Sequence, residues 1–98
     1  MTRIVKIVNS SRKGKRLRVY LENNDYFDFG LEGGQTYIDH RDKKKRDNYR
    51  RRHYSNDIER YLIETLTPSP ALYSYYILWG DSDDIMKNVD SLNKLTDN

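Results

Sequence analysis

Lys15-Arg16-Leu17-Arg18-Val19-Tyr20-Leu21 is the most regular stretch of the sequence, because apolar and polar side chains alternate along it. A period of two residues is typical of a β-strand with one buried face and one exposed face. The apolar positions, on the face predicted to be buried, are Leu17, Val19 and Leu21. The outer face then carries Arg16, Arg18 and Tyr20.

Two further strands flank this one. Residues 3–8 are rich in β-branched side chains, and residues 26–29 place Phe27 and Phe29 on one face. Asn23-Asn24 can adopt the positive φ angles of a hairpin turn, and a polar loop separates the first two strands. We therefore predict a three-stranded antiparallel meander that, with its closing glycine-rich turn, covers residues 1–34.

Helix signals fill residues 39–96. Asp39 followed by Asp42 resembles a capping box, which predicts a helix from about Arg41 to Tyr54. Asn56 and Ser69 are expected to cap a second and a third helix, and Ser82 a fourth. The buried stripes expected on these three helices are Ile58, Tyr61, Leu62 and Thr65; then Leu72, Tyr75, Tyr76 and Trp79; then Ile85, Val89, Leu92 and Leu95.

Strands followed by about four helices predict an α+β fold. No repeat or linker interrupts the chain, so we expect residues 1–98 to form a single domain. The absence of cysteine excludes disulfides, thiolate metal sites and cysteine nucleophiles. No apolar run approaches the roughly 20 residues of a membrane span, so no membrane partner is expected.

The charge is distributed unevenly along the chain. Residues 1–52 hold 15 Lys and Arg against 7 Asp and Glu, a net charge of +8, whereas residues 53–98 hold 3 against 8, a net charge of −5. Such asymmetry predicts electrostatic binding at the basic end, or head-to-tail association of copies of the chain. The expected partners are an acidic protein surface or nucleic acid.

The densest basic segment is residues 41–52, with eight cations and two anions. On a helix, one row at spacings of four, three and four residues is predicted to face the domain: Asp42, Arg46, Tyr49 and His53. The cations expected to face water and to attract phosphates are Lys43, Lys44, Lys45, Arg50, Arg51 and Arg52. The alternative is a helix whose charges serve solubility alone.

A second basic cluster lies on the loop and the outer face of the central strand. It comprises Arg12, Lys13, Lys15, Arg16 and Arg18, beside Tyr20. Cations next to an exposed aromatic ring suit contact with a nucleic-acid backbone, although the ordinary polar face of a half-buried sheet has the same composition. No motif for reading bases is present, so binding is expected to be independent of sequence.

No residue pattern in the chain is typical of an enzyme, and we expect no catalysis, no cofactor and no metal. Asp39-His40, Asn48 and His53 faintly suggest a metal-dependent nuclease. Thirteen residues of continuous helix span about 20 Å, however, which is too far for two histidines to share an ion. We expect His53 to hydrogen-bond inside the domain and His40 to fix the turn before the helix.

Two blocks resemble the signature of a small family in giant nucleocytoplasmic large DNA viruses. The first, residues 29–53, contains Gly-x-x-Gly-x-x-x-Tyr-x-Asp-His and Tyr-x-x-Arg-His; the second, residues 71–80, ends in Leu-Trp-Gly. Residues 56–64 and 67–70 depart from the family's pattern. The resemblance implies viral origin and a shared fold, without an established activity. It implies structural roles for its signature residues: Asp39, His40, Asp42, Arg46, Tyr49, His53 and Trp79.

Two functions follow as expectations. The first is a minor structural component of the virion that binds an acidic partner, such as another virion protein or a copy of itself, through the basic helix. The second is a sequence-independent nucleic-acid-binding protein of viral replication or packaging. Either would place the protein in the virion or in the viral factory of the host cytoplasm.

Overall fold

An antiparallel sheet forms the N-terminal part of the computed structural model, which describes residues 3–97. Its strands are β1 (Ile4–Asn9), β2 (Lys15–Leu21) and β3 (Tyr26–Leu31), in the order β1-β2-β3. Leu17 on the central strand pairs with Asn9 on one side and Phe29 on the other. The predicted meander is confirmed, and β3 continues two residues beyond the expected end.

Within residues 3–97 five helices follow the sheet, which confirms the α+β class. They are α1 (Tyr37–His40), α2 (Lys43–Tyr54), α3 (Asp57–Glu64), α4 (Pro70–Tyr73) and α5 (Ile85–Thr96). Helix α4 continues into a π-helical turn, Ser74–Leu78. None of the helices formed within residues 3–97 is long and apolar enough to cross a membrane.

The core lies between one face of the sheet and the C-terminal helices. The sheet contributes its predicted apolar face, and the helices contribute side chains that are almost completely excluded from solvent. The buried set includes Ile4, Leu17, Val19, Leu21, Phe29, Leu72, Tyr73, Ile77, Leu78, Val89 and Leu92. Burying each such side chain contributes about 1.5–3 kcal/mol to the free energy of unfolding. Because both the sheet and the C-terminal helices supply these side chains, neither part has a complete core alone.

The expected N-cap of the basic helix is wrong. Thr36 caps the single turn of α1, and Asp39 closes its capping box by accepting from the Thr36 backbone N–H at 2.8 Å. Arg41 then has a left-handed backbone, with φ of 56°, which ends α1. Asp42 is the N-cap of α2, which therefore begins at Lys43. The two aspartates serve two helices instead of one capping box.

The predicted stripe of α3 is also wrong. Ile58 and Tyr61 are 74% and 65% exposed, whereas Ile63 is 2% exposed and faces the core. The Asn56 cap is confirmed, since its side chain accepts from the backbone N–H of Ile58 and Glu59. A helix of eight residues offers more than one apolar stripe, and packing selected the stripe through Ile63.

The buried faces of α4 and α5 differ from the prediction as well. In the π-helical turn the Trp79 N–H donates to the Ser74 carbonyl, which inserts one residue per turn and rotates the helix. Leu72 is buried as predicted, together with Tyr73. After the turn Ile77 and Leu78 are buried, and Tyr75, Tyr76 and Trp79 are half-buried. Asp84 rather than Ser82 caps α5, whose buried residues are Asn88, Val89, Leu92, Asn93 and Thr96, with Leu95 45% exposed.

One buried amide ties the two ends of the described chain together. Asn93 Oδ1 accepts from the Ile4 backbone N–H at 2.9 Å, and Asn93 Nδ2 donates to the Ile4 carbonyl at 3.0 Å. Ile4 pairs with Leu21 at the edge of the sheet, where the ladder is interrupted by a bulge. Asn93 thus satisfies both backbone groups of a buried edge residue, which water would otherwise have to satisfy.

Replacing Asn93 by alanine leaves the Ile4 N–H and carbonyl buried without partners. Each unsatisfied group costs about 1–3 kcal/mol, so Asn93→Ala is expected to lower the free energy of unfolding by about 2–4 kcal/mol. Urea denaturation of both proteins measures the change. Ser91→Ala, on the exposed side of the same helix, is the control and is expected to stay within about 0.5 kcal/mol of the parent. Equal stability of N93A and the parent would contradict a stabilising role for the two Asn93–Ile4 hydrogen bonds.

Candidate functional site

Helix α2 is attached to the domain by an aromatic contact rather than by a buried apolar face. None of its residues is fully buried. The Tyr49 ring stacks on the Trp79 ring, with centroids 4.1 Å apart and planes 9° apart, and the His53 ring covers Tyr49 at 4.0 Å. Burial raises the pKa of the Tyr49 phenol to about 12. Trp79 is therefore the end ring of a column that fixes α2.

Two arginines hold one flank of α2 against the loop after Trp79. Arg50 Nε donates to the Trp79 carbonyl at 2.7 Å, and its Nη2 contacts Asp81 at 3.0 Å. Arg46, one turn earlier, lies 4.8 Å from the Tyr37 ring centroid and donates to the Asp81 carbonyl at 3.4 Å. The expectation that Arg50 faces water is wrong: its side chain is only 22% exposed, because it bonds inward.

The start of α2 is fixed by hydrogen bonds to side chains. Asp42 accepts from the backbone N–H of Lys44 and Lys45, and these bonds, the Lys45 one foremost, lower the pKa of its carboxyl. His40 Nδ1 accepts from the Asp42 N–H at 3.0 Å, which confirms that His40 fixes the turn. His53 contacts Glu59, which confirms a hydrogen bond inside the domain.

The predicted inward row is confirmed for three of its four members. Arg46, Tyr49 and His53 contact the rest of the domain, whereas Asp42 caps the helix end. The rest of the α2 surface is rich in exposed cations that make no ion pair with a carboxylate of residues 3–97. They are Lys43, Lys44, Lys45, Arg51 and Arg52.

The cations on the outer face of the sheet divide into two groups. Arg16 binds both carboxylate oxygens of Asp39, at 2.7 and 3.0 Å, and this bond lowers the pKa of Asp39. Arg18 binds both carboxylate oxygens of Asp28, and this hydrogen bonding lowers the pKa of Asp28. The Arg18 guanidinium also lies 4.3 Å from the Tyr26 ring centroid. Both arginines have internal partners. The remaining cations of the cluster are exposed Arg12 and Lys13, and half-exposed Lys15.

A groove of about 300 Å³ runs between α2 and the residues before it. One wall is a stripe of α2 at helical spacing: Lys45, Asn48, Tyr49 and Arg52. Gln35, His40 and Trp79, whose ring stacks on Tyr49, complete the lining. Gln35 also lines the neighbouring hollow that contains Lys15 and Arg16, so the two basic clusters meet at this residue.

Of the seven groove residues, the sequence predicted anion binding only for Lys45 and Arg52. It gave His40, Tyr49 and Trp79 structural roles, named Asn48 only in the nuclease-like pattern, and did not indicate Gln35. Asn48 could have been found, because it lies three residues after Lys45 and four before Arg52 on one helical stripe. No pattern marks Gln35, which lies in the irregular segment between β3 and α1. Its position depends on how α1 packs beside α2, which is a property of the tertiary structure.

Comparison with known proteins gives one match. Residues 5–53, half of the chain, match a family of unknown function, DUF5754. The chain belongs to the DUF5754 family. No curated protein and no solved structure matches it.

The DUF5754 segment contains the three strands, α1 and nearly all of α2, up to His53. It thus contains both basic clusters and all the groove residues except Trp79. More than half of the hydrophobic core lies outside it, however, on α4, the π-helical turn and α5. The matched segment therefore carries the candidate site, and the C-terminal helices supply its support.

Substitutions of two adjacent arginines of α2 test which of them attaches the helix to the domain. Arg50→Gln removes the bond to the Trp79 carbonyl, and a hydrogen bond to a charged group contributes about 1.5–3 kcal/mol. Because the site is partly exposed, we expect a loss of about 1–2 kcal/mol in the free energy of unfolding. Arg51→Gln removes the same charge from an exposed side chain and is expected to change it by less than about 0.5 kcal/mol. Urea denaturation measures both; equal effects would contradict the attachment.

Proposed function

We propose that this DUF5754 protein is a non-enzymatic viral protein that binds nucleic acid through the exposed cations of α2, independently of base sequence. The observation that carries the proposal is the distribution of ion pairs on this helix. Arg46 and Arg50 are engaged on the inner flank, whereas the cations of the outer side have no carboxylate partner among residues 3–97. Cations that no carboxylate neutralises are available to phosphates.

The arrangement of these cations suits a phosphate backbone. Lys44 and Arg51 are seven residues apart, as are Lys45 and Arg52, so each pair lies two turns apart on one side of α2. The pairs form two adjacent rows about 10 Å long, a length over which a backbone presents several phosphates. Arg12, Lys13 and Lys15 extend the positive surface beyond the hollow next to Gln35.

The viral context of the proposal rests on the two blocks that resemble a family of giant DNA viruses. In that context the protein acts in replication or packaging of the genome, in the viral factory of the host cytoplasm or in the virion. Its small size and dense surface charge are consistent with either setting.

A second candidate is a minor virion component that docks the same cations on an acidic protein. The exposed side chains of Ile58 and Tyr61 favour it, because Tyr and other apolar residues on a surface are typical of protein interfaces. The acidic C-terminal half offers one such surface, that of a neighbouring copy.

Binding to a short fluorescent DNA duplex at different salt concentrations tests the first candidate. Four or five phosphate contacts predict that the affinity falls about 100-fold between about 50 and 200 mM salt. Neutralising two cations in K44Q/R51Q removes about two contacts, so the fall is expected to shrink to about 10-fold.

The matched control is K6Q/K87Q, which removes the same charge from two exposed lysines outside α2 and is expected to keep most of the salt dependence. An equal effect of both double variants would contradict the assignment to α2. Absence of binding at low salt would exclude nucleic acid as the partner and leave the acidic protein surface.

A further inference from the structure

The groove beside α2 combines three kinds of side chain, whereas binding to the backbone of a duplex requires only the cations. Lys45 and Arg52 supply positive charge, Gln35 and Asn48 supply amides, and Trp79 supplies an aromatic ring. The outer row of Lys44 and Arg51 is absent from its lining. The groove is thus a distinct surface on one side of the basic helix.

We propose that this groove binds one unpaired nucleotide of a single strand, with its phosphate at Lys45 and Arg52 and its base against Trp79. The inference rests on the proposed nucleic-acid function and names the form of nucleic acid that the site prefers. Single-stranded nucleic acid is commonly held by cations that follow the backbone and by aromatic rings on which bases stack.

Trp79 is the aromatic residue of the groove that a base would contact. One face of its ring is covered by Tyr49, which is itself covered by His53, and Trp79 also packs against the hydrophobic core. The half-exposed remainder of Trp79 lines the groove, where a base can contact it. His40 approaches Trp79 at 5.4 Å with its plane tilted by 54°, and so does not stack on it. Because the column is already formed, a base that joins it does not have to order the rings first.

Polar side chains lie beside the Trp79 ring in the lining of the groove. The Gln35 amide offers donors and an acceptor, and the Asn48 amide, whose Oδ1 accepts from Arg51 at 3.2 Å, offers its Nδ2 donors. Such groups suit the Watson–Crick edge that an unpaired base exposes. His40 Nε2 is the one buried side-chain polar atom of residues 3–97 without a hydrogen-bond partner. Nδ1 of the same ring accepts from the Asp42 N–H, so Nε2 is the ring nitrogen without a partner, and it is buried behind the groove wall.

The size of the groove limits the ligand. Its volume of about 300 Å³ is at the lower end of the range of about 300–1,000 Å³ for small-ligand clefts, which suits one nucleotide. Both strands of a duplex keep their bases paired and stacked, so a duplex can use the cations but not the ring.

Trp79 is the one tryptophan of the sequence, so its fluorescence reports directly on the groove. We expect an oligothymidylate to quench this fluorescence and to bind about 10-fold more tightly than a duplex of equal length, because stacking of a base on an aromatic ring contributes about 1–3 kcal/mol. The duplex is expected to bind without quenching. The free mononucleotide thymidine monophosphate, which has no neighbouring phosphates, is expected to quench only at far higher concentration.

Two charge-matched variants separate the groove from the cations outside it. K45Q/R52Q is expected to abolish both the quenching and the preference for the single strand. K43Q/K44Q, with the same loss of charge on the same helix at two exposed lysines outside the groove, is expected to weaken both ligands equally and to keep the preference. Arg51 stays in this control because it donates to Asn48 Oδ1. Q35A/N48A retains all cations and is expected to lower single-strand affinity about 5- to 10-fold without changing duplex affinity. Thermal unfolding verifies that each variant is folded.

Salt-dependent binding of both ligands with equal affinity and unchanged Trp79 fluorescence would overturn the groove assignment and leave the proposed function standing. Equal quenching by the mononucleotide and the oligothymidylate would overturn the assignment to a strand. Absence of binding to either polymer would overturn both the groove assignment and the nucleic-acid function.

Discussion

The stack of Tyr49 on Trp79 is the contact on which the position of the basic helix depends. A helix is usually held to a domain by an apolar stripe, but α2 has only Tyr49 and Tyr54 among twelve otherwise charged or polar residues. The stack, with the Arg50 bond to the Trp79 carbonyl and the Arg46 contact with Tyr37, attaches one side of the helix. Because these contacts use Tyr49, Arg46 and Arg50, the exposed cations of the helix have no carboxylate partner among residues 3–97. Arg51 donates to Asn48 Oδ1 at 3.2 Å, and Arg52 lies 5.8 Å from the Tyr49 ring centroid. Attachment and exposure are thus two consequences of the same arrangement.

The sheet could be predicted from sequence because alternation along β2 admits only one assignment of faces. A register with Arg16 and Arg18 inward would bury two charges and expose Val19, which is fully buried. The helices could be located by their caps, as Asn56 and Ser69 demonstrate, but their faces could not be assigned. In α3 two apolar stripes compete over two turns. In α4 the π-helical turn rotates the face after Tyr73, and no residue pattern indicates where one extra residue enters a helix.

The candidate site was predictable where it depended on local spacing and not where it depended on packing. Spacing alone separates the row of Arg46, Tyr49 and His53 from the exposed lysines. Arg50 was assigned to water because its position on the helix lies at the edge of that row, and its partners, the Trp79 carbonyl and Asp81, come from a distant segment. The same holds for Arg16 and Arg18, whose carboxylate partners come from α1 and β3. Long cationic side chains reach partners on other elements, and the spacing of residues along one element does not predict such partners.

The account therefore makes α2 and its groove the surface of the molecule that contacts nucleic acid. Nuclear magnetic resonance of the ¹⁵N-labelled protein, titrated with an unlabelled oligothymidylate, measures this location residue by residue. The account predicts shifts of the backbone amides of Lys44, Lys45, Asn48, Arg51 and Arg52 and of the Trp79 indole N–H, while amides on the exposed sides of α3 and α5 stay in place. Shifts that centre on Ile58 and Tyr61, or a spectrum that does not change, would contradict it.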